Sequence, residues 1–249
     1  MSYLDKYAKR FAGGIDKFGH TAALATGATF PVTLWELALD YTFPSDSGVS
    51  LKISSSSGAD TQVISVEGLD VNFERQKVNV TLSGQTKVAI TGTWTRVFRA
   101  WVTGSVNLVG QLYVYEDVAI TAGVPDDLNF VRATVTSTEV HNQTLQAIYT
   151  VPDGDIKGAL LIGYDINSGK ISGGQEAQIE MALYKREEGQ VRRVQQHISL
   201  YTGGNSSVTK EYRVEQFFKP RTDIFMQIFD VSTGSVNISA SFQLQLLQQ

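Results

Sequence analysis

Histidine, serine and carboxylate residues that could perform catalysis are present in this sequence, but they are widely separated. His20, His141 and His197 each lack a second metal-binding side chain at the spacing of a metal site, and the chain contains no cysteine. The His-Glu-x-x-His pattern of zinc hydrolases and the Gly-x-Ser-x-Gly turn of serine hydrolases are both absent from the sequence. The sequence therefore predicts a protein without catalytic residues, metal site or cofactor.

Two acidic turns could contribute oxygen ligands to a calcium ion. Asp126-Asp127 and Asp153-Gly154-Asp155 supply such oxygens, but neither has the ligand spacing of an EF-hand loop. Strand glutamates such as Glu180 could form the carboxylate pair of a glycosidase, which requires two carboxyl groups that face each other. A solvated, outward-facing position is the simpler interpretation of these glutamates, and a glycan hydrolase is the least favoured function.

Three tryptophans are candidates for a sugar-stacking surface. Trp35, Trp94 and Trp101 lie in apolar strand contexts, which favours packing in the core. A carbohydrate-recognising receptor-binding module that uses these tryptophans and the Asn/Asp loops stays open as an alternative.

Composition limits the possible partners. Of the 249 residues, 42% are hydrophobic and 18% are charged, which is typical of a folded globular protein. The formal net charge of −4 argues against a nucleic acid or an anionic membrane surface as a partner. The sequence has no apolar run of about 18 residues, so we also expect no membrane span.

The first 24 residues show apolar side chains at helical spacing. Gly13 and Gly14 interrupt the pattern, so it predicts a short helix over residues 2–12 followed by a looser segment. Two interpretations are open: the helix covers one end of a sheet, or residues 1–28 form an arm that docks on a neighbouring subunit. The side chains that would dock are those of the apolar stripe: Tyr3, Leu4, Tyr7, Phe11, Ile15 and Phe18.

From about residue 29 the apolar residues alternate with polar ones, and Gly, Asp, Asn and Ser turns occur at short intervals. This pattern predicts an all-β fold, an antiparallel β-sandwich or jelly roll, with the N-terminal segment as a short helical arm.

A short repeat suggests how the chain divides. Residues 103–107 and residues 233–237 both read Thr-Gly-Ser-Val-Asn, and each copy lies between an aromatic-rich strand and an alternating strand. We interpret the two copies as the closing hairpins of two tandem sandwiches over residues 29–137 and 138–249. A single larger sandwich is the alternative.

Several motifs, taken in order, resemble a known family. They are Val-Ile-Ser-Val-Glu-Gly-Leu-Asp at 63–70, Leu-Ser-Gly-Gln-Thr at 82–86, Asn-Gln-Thr at 142–144 and Tyr-Thr-Val-Pro-Asp-Gly at 149–154. Over about residues 30–246 the chain resembles virion structural proteins of tailed, especially marine, bacteriophages. It departs from the family's Tyr-Thr-Val-Pro-Ala-Gly-Lys motif, because Asp153 and Asp155 replace the alanine and the lysine.

The resemblance implies a virion component that is assembled in the host bacterial cytoplasm. Together with the missing catalytic constellation, it favours a non-enzymatic capsid-associated minor or decoration protein that stabilises the particle. Its partners would be copies of itself and other virion proteins, either the major capsid protein or neck and tail proteins. A neck, collar or fibre-base component of the tail is the alternative within the virion.

Overall fold

The computed structural model describes residues 11–138, 141–172 and 176–248 of the chain. In these residues eighteen strands and one turn of 3-10 helix, Leu128–Phe130, make up the secondary structure. The first eleven strands are β1 (Phe11–Ala25), β2 (Val32–Thr33), β3 (Val49–Ser55), β4 (Val63–Leu69), β5 (Arg75–Thr81), β6 (Val88–Trp94), β7 (Arg96–Val102), β8 (Leu112–Glu116), β9 (Ile120–Thr121), β10 (Val124–Pro125) and β11 (Val131–Val135). The other seven are β12 (Ile148–Thr150), β13 (Ile156–Ser172), β14 (Ala177–Glu187), β15 (Arg193–Thr202), β16 (Asn205–Phe218), β17 (Thr222–Val231) and β18 (Ser235–Gln248).

The predicted all-β, antiparallel fold is confirmed, and the chain forms two compact units. Tyr41–Gln146 make up one, which we call the inserted unit. The chain before residue 41 and the chain from residue 147 onwards together make up the other, which we call the terminal unit. This division differs from the boundaries that we expected at residues 28 and 137, because the two ends of the chain share one unit.

The inserted unit is a sandwich of two antiparallel sheets. The strand orders are β11-β8-β3-β6 in one sheet and β5-β4-β7 in the other, and β9 and β10 form a separate hairpin. Its core contains buried side chains from both sheets, among them Leu51, Ile53, Ile64, Val66, Trp94, Leu112, Val114 and Val135. Because these apolar residues come from both sheets, the inserted unit has a core of its own.

Arg132 is a buried charge inside the inserted unit. Its guanidinium group donates to Glu116 Oε1 from Nε at 2.8 Å and from Nη2 at 2.5 Å. Its Nη1 donates to the carbonyl oxygens of Thr42 at 2.7 Å and Asn129 at 2.8 Å. With its charge paired and its donors satisfied, Arg132 has a structural role in this unit.

The terminal unit has longer strands in two antiparallel sheets. The strand orders are β1-β18-β13-β16 in one sheet and β12-β17-β14-β15 in the other, with β2 also paired to β17. In β18 every second residue is buried from Val236 to Leu246, and the residues between them are polar or partly exposed. This strict alternation places one face of the four-stranded sheet in the core and leaves its other face outside.

Of the helix predicted over residues 2–12, only residues 11 and 12 are described by the structure; they begin a strand, and residues 2–10 lie outside the described residues. Residues 11–25 form β1, which pairs with β18 from Phe11 opposite Leu247 to Ala25 opposite Ser235. Pairing with β18 satisfies the backbone hydrogen bonds of this segment, so tertiary context overrides the helical spacing. Of the six predicted docking residues, Tyr3, Leu4 and Tyr7 lie outside the described residues.

Strand geometry also separates side chains that a helix would have kept on one face. Ile15 pairs with the buried Leu244 and faces the core, whereas Phe18 pairs with Ser241 on the outer face and is 37% exposed. Side chains at positions of opposite parity in a strand point to opposite faces. The apolar stripe is therefore not a single docking surface in β1.

The two Thr-Gly-Ser-Val-Asn segments do not close a hairpin within one sheet. The first follows β7 and leads towards β8, and the second follows β17 and runs into β18, whose first three residues are its Ser-Val-Asn. In each case the two flanking strands belong to different sheets of the same unit. Gly234 has a φ of 71° in the second copy, whereas Gly104 of the first copy has no positive φ, so the two turns have different backbone conformations.

Candidate functional site

Glu180, His197 and Ser199 bring a carboxylate, an imidazole and a hydroxyl together on β14 and β15. Glu180 pairs with Ser199, and two pairs further along the ladder His197 lies opposite Ala182. Ser199 Oγ donates to Glu180 Oε2 at 2.6 Å, and His197 Nε2 lies 3.3 Å from the same oxygen. The hydrogen bond from Ser199, helped by Gln178 and by the charge of His197, lowers the pKa of Glu180 against the opposing effect of desolvation.

These three residues do not have the geometry of a catalytic triad. In a triad the imidazole accepts the serine proton on one ring nitrogen while the acid binds the other nitrogen. Here Ser199 and His197 both contact Glu180 Oε2, so the serine proton is directed to the carboxylate. The His197 ring also packs against Phe229, with 5.3 Å between the ring centroids. The arrangement is that of a polar cross-strand cluster.

The other predicted ligand candidates already have partners within the protein. His20 Nδ1 is 2.8 Å from Ser239 Oγ. Asp127 caps the 3-10 helix by accepting from Asn129 N–H at 3.0 Å. Asp153 accepts from Arg221 Nε at 2.7 Å. Among the described residues, no group of three histidine, aspartate or glutamate side chains is placed to hold a metal ion.

Two of the three tryptophans are packed in a core, as we expected, and the third is not. Trp35 and Trp94 are buried, in the terminal and the inserted unit respectively. Trp101 is half-buried, and two cations lie close to its ring: Lys77 Nζ at 4.6 Å from the centroid and Arg99 Cζ at 5.2 Å. A sugar that stacked on Trp101 would have to compete with these cation–π contacts.

The edge strand β16 exposes apolar side chains. Gly163 pairs with Glu211 and Leu161 with Gln216, so four residues of β16, 212–215, lie opposite Ile162 alone. In this bulge Val214 is 83% exposed, and Phe217 beyond it is 49% exposed. A bulge of this kind disrupts the hydrogen-bonding ladder at a sheet edge and redirects its side chains.

The sequence pattern over residues 209–217 predicts a strand but indicates no role for Val214 or Phe217. Alternation of Tyr212, Val214 and Gln216 with charged residues reads as an ordinary half-buried strand. The bulge shifts this register, and no residue type in the segment marks where it begins. The described residues also contain no helix with the length and hydrophobicity to cross a membrane.

Comparison with known proteins gives no family. No protein-family model matches the chain, and no curated protein matches it. Solved structures with some likeness include the Gt strain of infectious bursal disease virus, at 11% identity and a TM-score of 0.18, over 96% of this chain and 80% of that one. The T13 particle of the same virus has 12% identity and a TM-score of 0.17, over 96% and 78% of the two chains. A protein from Parabacteroides distasonis described as secreted has 8% identity and a TM-score of 0.18, over 95% and 93%. At these scores the likeness carries no argument about function.

Proposed function

We propose that this chain is a non-enzymatic structural protein of a bacteriophage virion. It acts as a capsid-associated minor or decoration protein and stabilises the particle through contacts between neighbouring subunits. The observation that carries the proposal is the strand order of the terminal unit.

From that strand order we infer that the terminal unit is a jelly roll. Counting only its eight main strands along the chain, β1 and β12 to β18, one sheet has the order 1-8-3-6 and the other 2-7-4-5. Two Greek keys folded into two sheets in this way form the jelly roll of viral capsid and lectin domains. The resemblance of residues 30–246 to virion proteins favours the capsid role over the lectin role.

The contacts proposed for this role lie at the two edges of the four-stranded sheet. β16 offers Val214 and Phe217, and β1 at the opposite edge offers Phe18. Exposed apolar side chains on an edge strand are suited to binding another protein subunit, whether a copy of this chain or another virion protein. Docking through the residues that precede β1 also stays a prediction.

Incorporation into particles tests this role. We expect Val214→Glu to lower the amount of this protein in purified particles without changing its melting temperature. Val191→Glu is the matched control, because Val191 is 75% exposed, close to the 83% of Val214, but lies in the turn after β14. Equal incorporation of both variants would remove the β16 edge from the proposed contacts.

Copy number separates the two positions in the virion. A capsid decoration protein is present on the whole shell, whereas a neck, collar or fibre-base component occurs at one vertex. Quantitative mass spectrometry relative to the major capsid protein should give a ratio of the order of one per capsomer for the decoration role. A ratio that fits one ring per particle would favour the neck or tail role.

Absence of catalysis is part of the proposal and needs its own assay. The purified protein should release no products from bacterial polysaccharide or peptidoglycan, since Glu180, His197 and Ser199 lack the geometry of a triad. Cleavage that is lost in Glu180→Gln would contradict the non-enzymatic role.

A further inference from the structure

The outer face of the four-stranded sheet in the terminal unit contains a cavity that the proposed structural role does not use. It has a volume of ≈ 330 Å³ and lies on β13, β16 and β18. A volume of about 300 Å³ or more is the size at which small-molecule sites begin.

The pairing register explains how the cavity forms. Asn167 lies between Ser207 and Ser239 in one row across the sheet, and Gly169 lies between Asn205 and Asn237 in the next row. Residues that pair across antiparallel strands point to the same face, so these six residues share the outer face. Gly169 has no side chain at the centre of its row, and this leaves the space between the two asparagines.

The lining can bind an uncharged ligand that both donates and accepts hydrogen bonds. None of the residues that line the cavity is charged or aromatic. The side chains of Asn167, Asn205 and Ser207 make no hydrogen bond to another described residue. Each asparagine offers an NH₂ donor and a carbonyl acceptor, and a serine hydroxyl does both.

The other two polar side chains among the six outer-face residues, those of Asn237 and Ser239, are partly engaged. Asn237 Oδ1 accepts from the backbone N–H of Ala23 at 2.9 Å, which leaves its NH₂ group to donate into the cavity. Ser239 Oγ is held by His20 Nδ1 at 2.8 Å. The neighbouring strand β1 therefore fixes the positions of both side chains, and a ligand would meet groups that are already oriented.

This chemistry argues against several ligand classes. Carboxylates are the usual ligands that proteins offer to divalent cations, and cationic side chains or helix N-termini are the usual groups that bind phosphate and sulfate; the lining of the cavity contains none of these. An apolar ligand would leave the amide groups without partners. We propose that the cavity binds one ring of an uncharged saccharide, whose hydroxyl groups pair with the amides of Asn167, Asn205 and Asn237.

Binding can be followed by NMR of the full-length, ¹⁵N-labelled protein. The probes are d-glucose, d-galactose and N-acetyl-d-glucosamine, each also as its methyl glycoside, which has the linkage of a ring within a glycan chain. Inorganic phosphate and Ca²⁺ serve as probes of the excluded classes. The protein should come from bacteria, because Asn205-Ser206-Ser207 and Asn237-Ile238-Ser239 are acceptor sequences for N-glycosylation in eukaryotic hosts.

Two variants test the assignment. Gly169→Val fills the cavity: a Cβ there would lie 3.0 Å from Asn205 Oδ1, the end of a flexible side chain, and Gly169 has no positive φ that would oppose a side chain. Asn167→Ala keeps the space and removes one amide, which should weaken binding by roughly threefold to tenfold. Asn72→Ala is the matched control, since Asn72 is an exposed turn residue of the inserted unit.

The supporting result is a set of shifts at the amides of β13, β16 and β18 on addition of at least one saccharide, lost in Gly169→Val, weakened in Asn167→Ala and unchanged in Asn72→Ala. If Gly169→Val does not fold, Asn167→Ala alone decides. The proposal is overturned if no saccharide shifts these amides at tens of millimolar, if phosphate or Ca²⁺ does so instead, or if binding survives both variants. None of these outcomes bears on incorporation into particles, so the structural role is tested separately.

Discussion

Arg186 and Asp223 form a cross-strand ion pair in the terminal unit, with one carboxylate oxygen accepting two hydrogen bonds. Arg186 Nε lies 2.8 Å and Nη2 2.5 Å from Asp223 Oδ2. The other oxygen, Oδ1, accepts from Thr150 Oγ1 at 2.6 Å. Since Arg186 is on β14, Thr150 on β12 and Asp223 on the strand between them, the carboxylate links three neighbouring strands.

The first prediction is that Asp223→Asn strongly destabilises the terminal unit. Asp223 is 1% exposed and Arg186 is 30% exposed, so the substitution leaves the Arg186 charge without a carboxylate partner but in partial contact with water. We expect the free energy of unfolding to fall by about 2 kcal/mol, less than for a fully buried pair because solvent partly screens the remaining charge. Urea denaturation followed by circular dichroism measures the change. Asp117→Asn, at an exposed pair with Lys87, is the control and should not shift the midpoint.

The second prediction concerns Gly19, where β1 passes close to the backbone of a neighbouring segment. A Cβ on Gly19 would lie 2.3 Å from the carbonyl oxygen of Leu34 and 2.5 Å from the amide nitrogen of Ala147, two atoms that are hydrogen-bonded to each other at 3.0 Å. Gly19→Ala must therefore push β1 away, at a cost of about 1–3 kcal/mol. Thermal melting measures this loss.

Gly14→Ala is the matched control for Gly19. It lies on the same strand, and the nearest atom to its added Cβ would be the carbonyl oxygen of Leu244 at 4.0 Å. Equal melting temperatures for the two variants would contradict the close approach of β1 to the backbone of Leu34 and Ala147.

Much of this fold could be predicted from the alternation of apolar and polar residues, because that pattern depends only on residues close together in the sequence. In β18, every second residue from Val236 to Leu246 is apolar; this alternation predicts a strand over residues 236–246, which differs from the observed strand by one residue at its start and two at its end. The apolar stripe in the first 24 residues gave a misleading helical signal over the start of β1, because it too is a local pattern. Its spacing fits a helix locally, but β18 supplies a complete set of backbone partners that the local pattern does not reveal.

The division into units and the cavity depend on contacts between distant parts of the chain. β1 and β18 pair although they are near opposite ends of the sequence, so a search for tandem domains could not find this unit. The cavity requires Asn167, Asn205 and Asn237 to share one face of a sheet, which follows only from the register of three strands. Asparagine and serine are common in turns and strand ends, so their types alone gave no signal.

The third prediction is that a fragment of residues 41–146 folds alone, whereas a fragment of residues 138–249 does not. The first contains both sheets and the core of the inserted unit. The second lacks β1, so the edge of β18 and the apolar residues beneath it would be exposed to water. Circular dichroism should show a cooperative melt for residues 41–146 only. A cooperative melt of the 138–249 fragment would mean that β1 is dispensable.

The last prediction concerns Tyr212, whose hydroxyl is buried without a hydrogen-bond partner among the described residues. Its ring meets Tyr164 edge-on, with 6.3 Å between the centroids. Burial, together with repulsion from the Tyr164 phenolate, raises the pKa of Tyr212 to about 12. On folding, the Tyr212 hydroxyl loses its hydrogen bonds to water and gains none from the described residues. Tyr212→Phe removes this hydroxyl, so we expect no loss of stability and a gain of up to about 1 kcal/mol.

The same residue makes stability depend on pH in the alkaline range. A tyrosine has a pKa of about 10 in an unfolded chain, so between pH 10 and 12 the unfolded state releases this proton more readily than the folded state. The folded state is therefore favoured below pH 10, and this contribution is lost as the pH rises towards 12. The wild type should lose stability over this interval faster than Tyr212→Phe, as measured by urea denaturation at each pH.

Tyr201→Phe is the control for removing a phenol hydroxyl, since Tyr201 is 62% exposed, and it should leave stability at neutral pH unchanged. Parallel stability curves for the wild type and Tyr212→Phe above pH 10 would contradict the buried position of the Tyr212 hydroxyl.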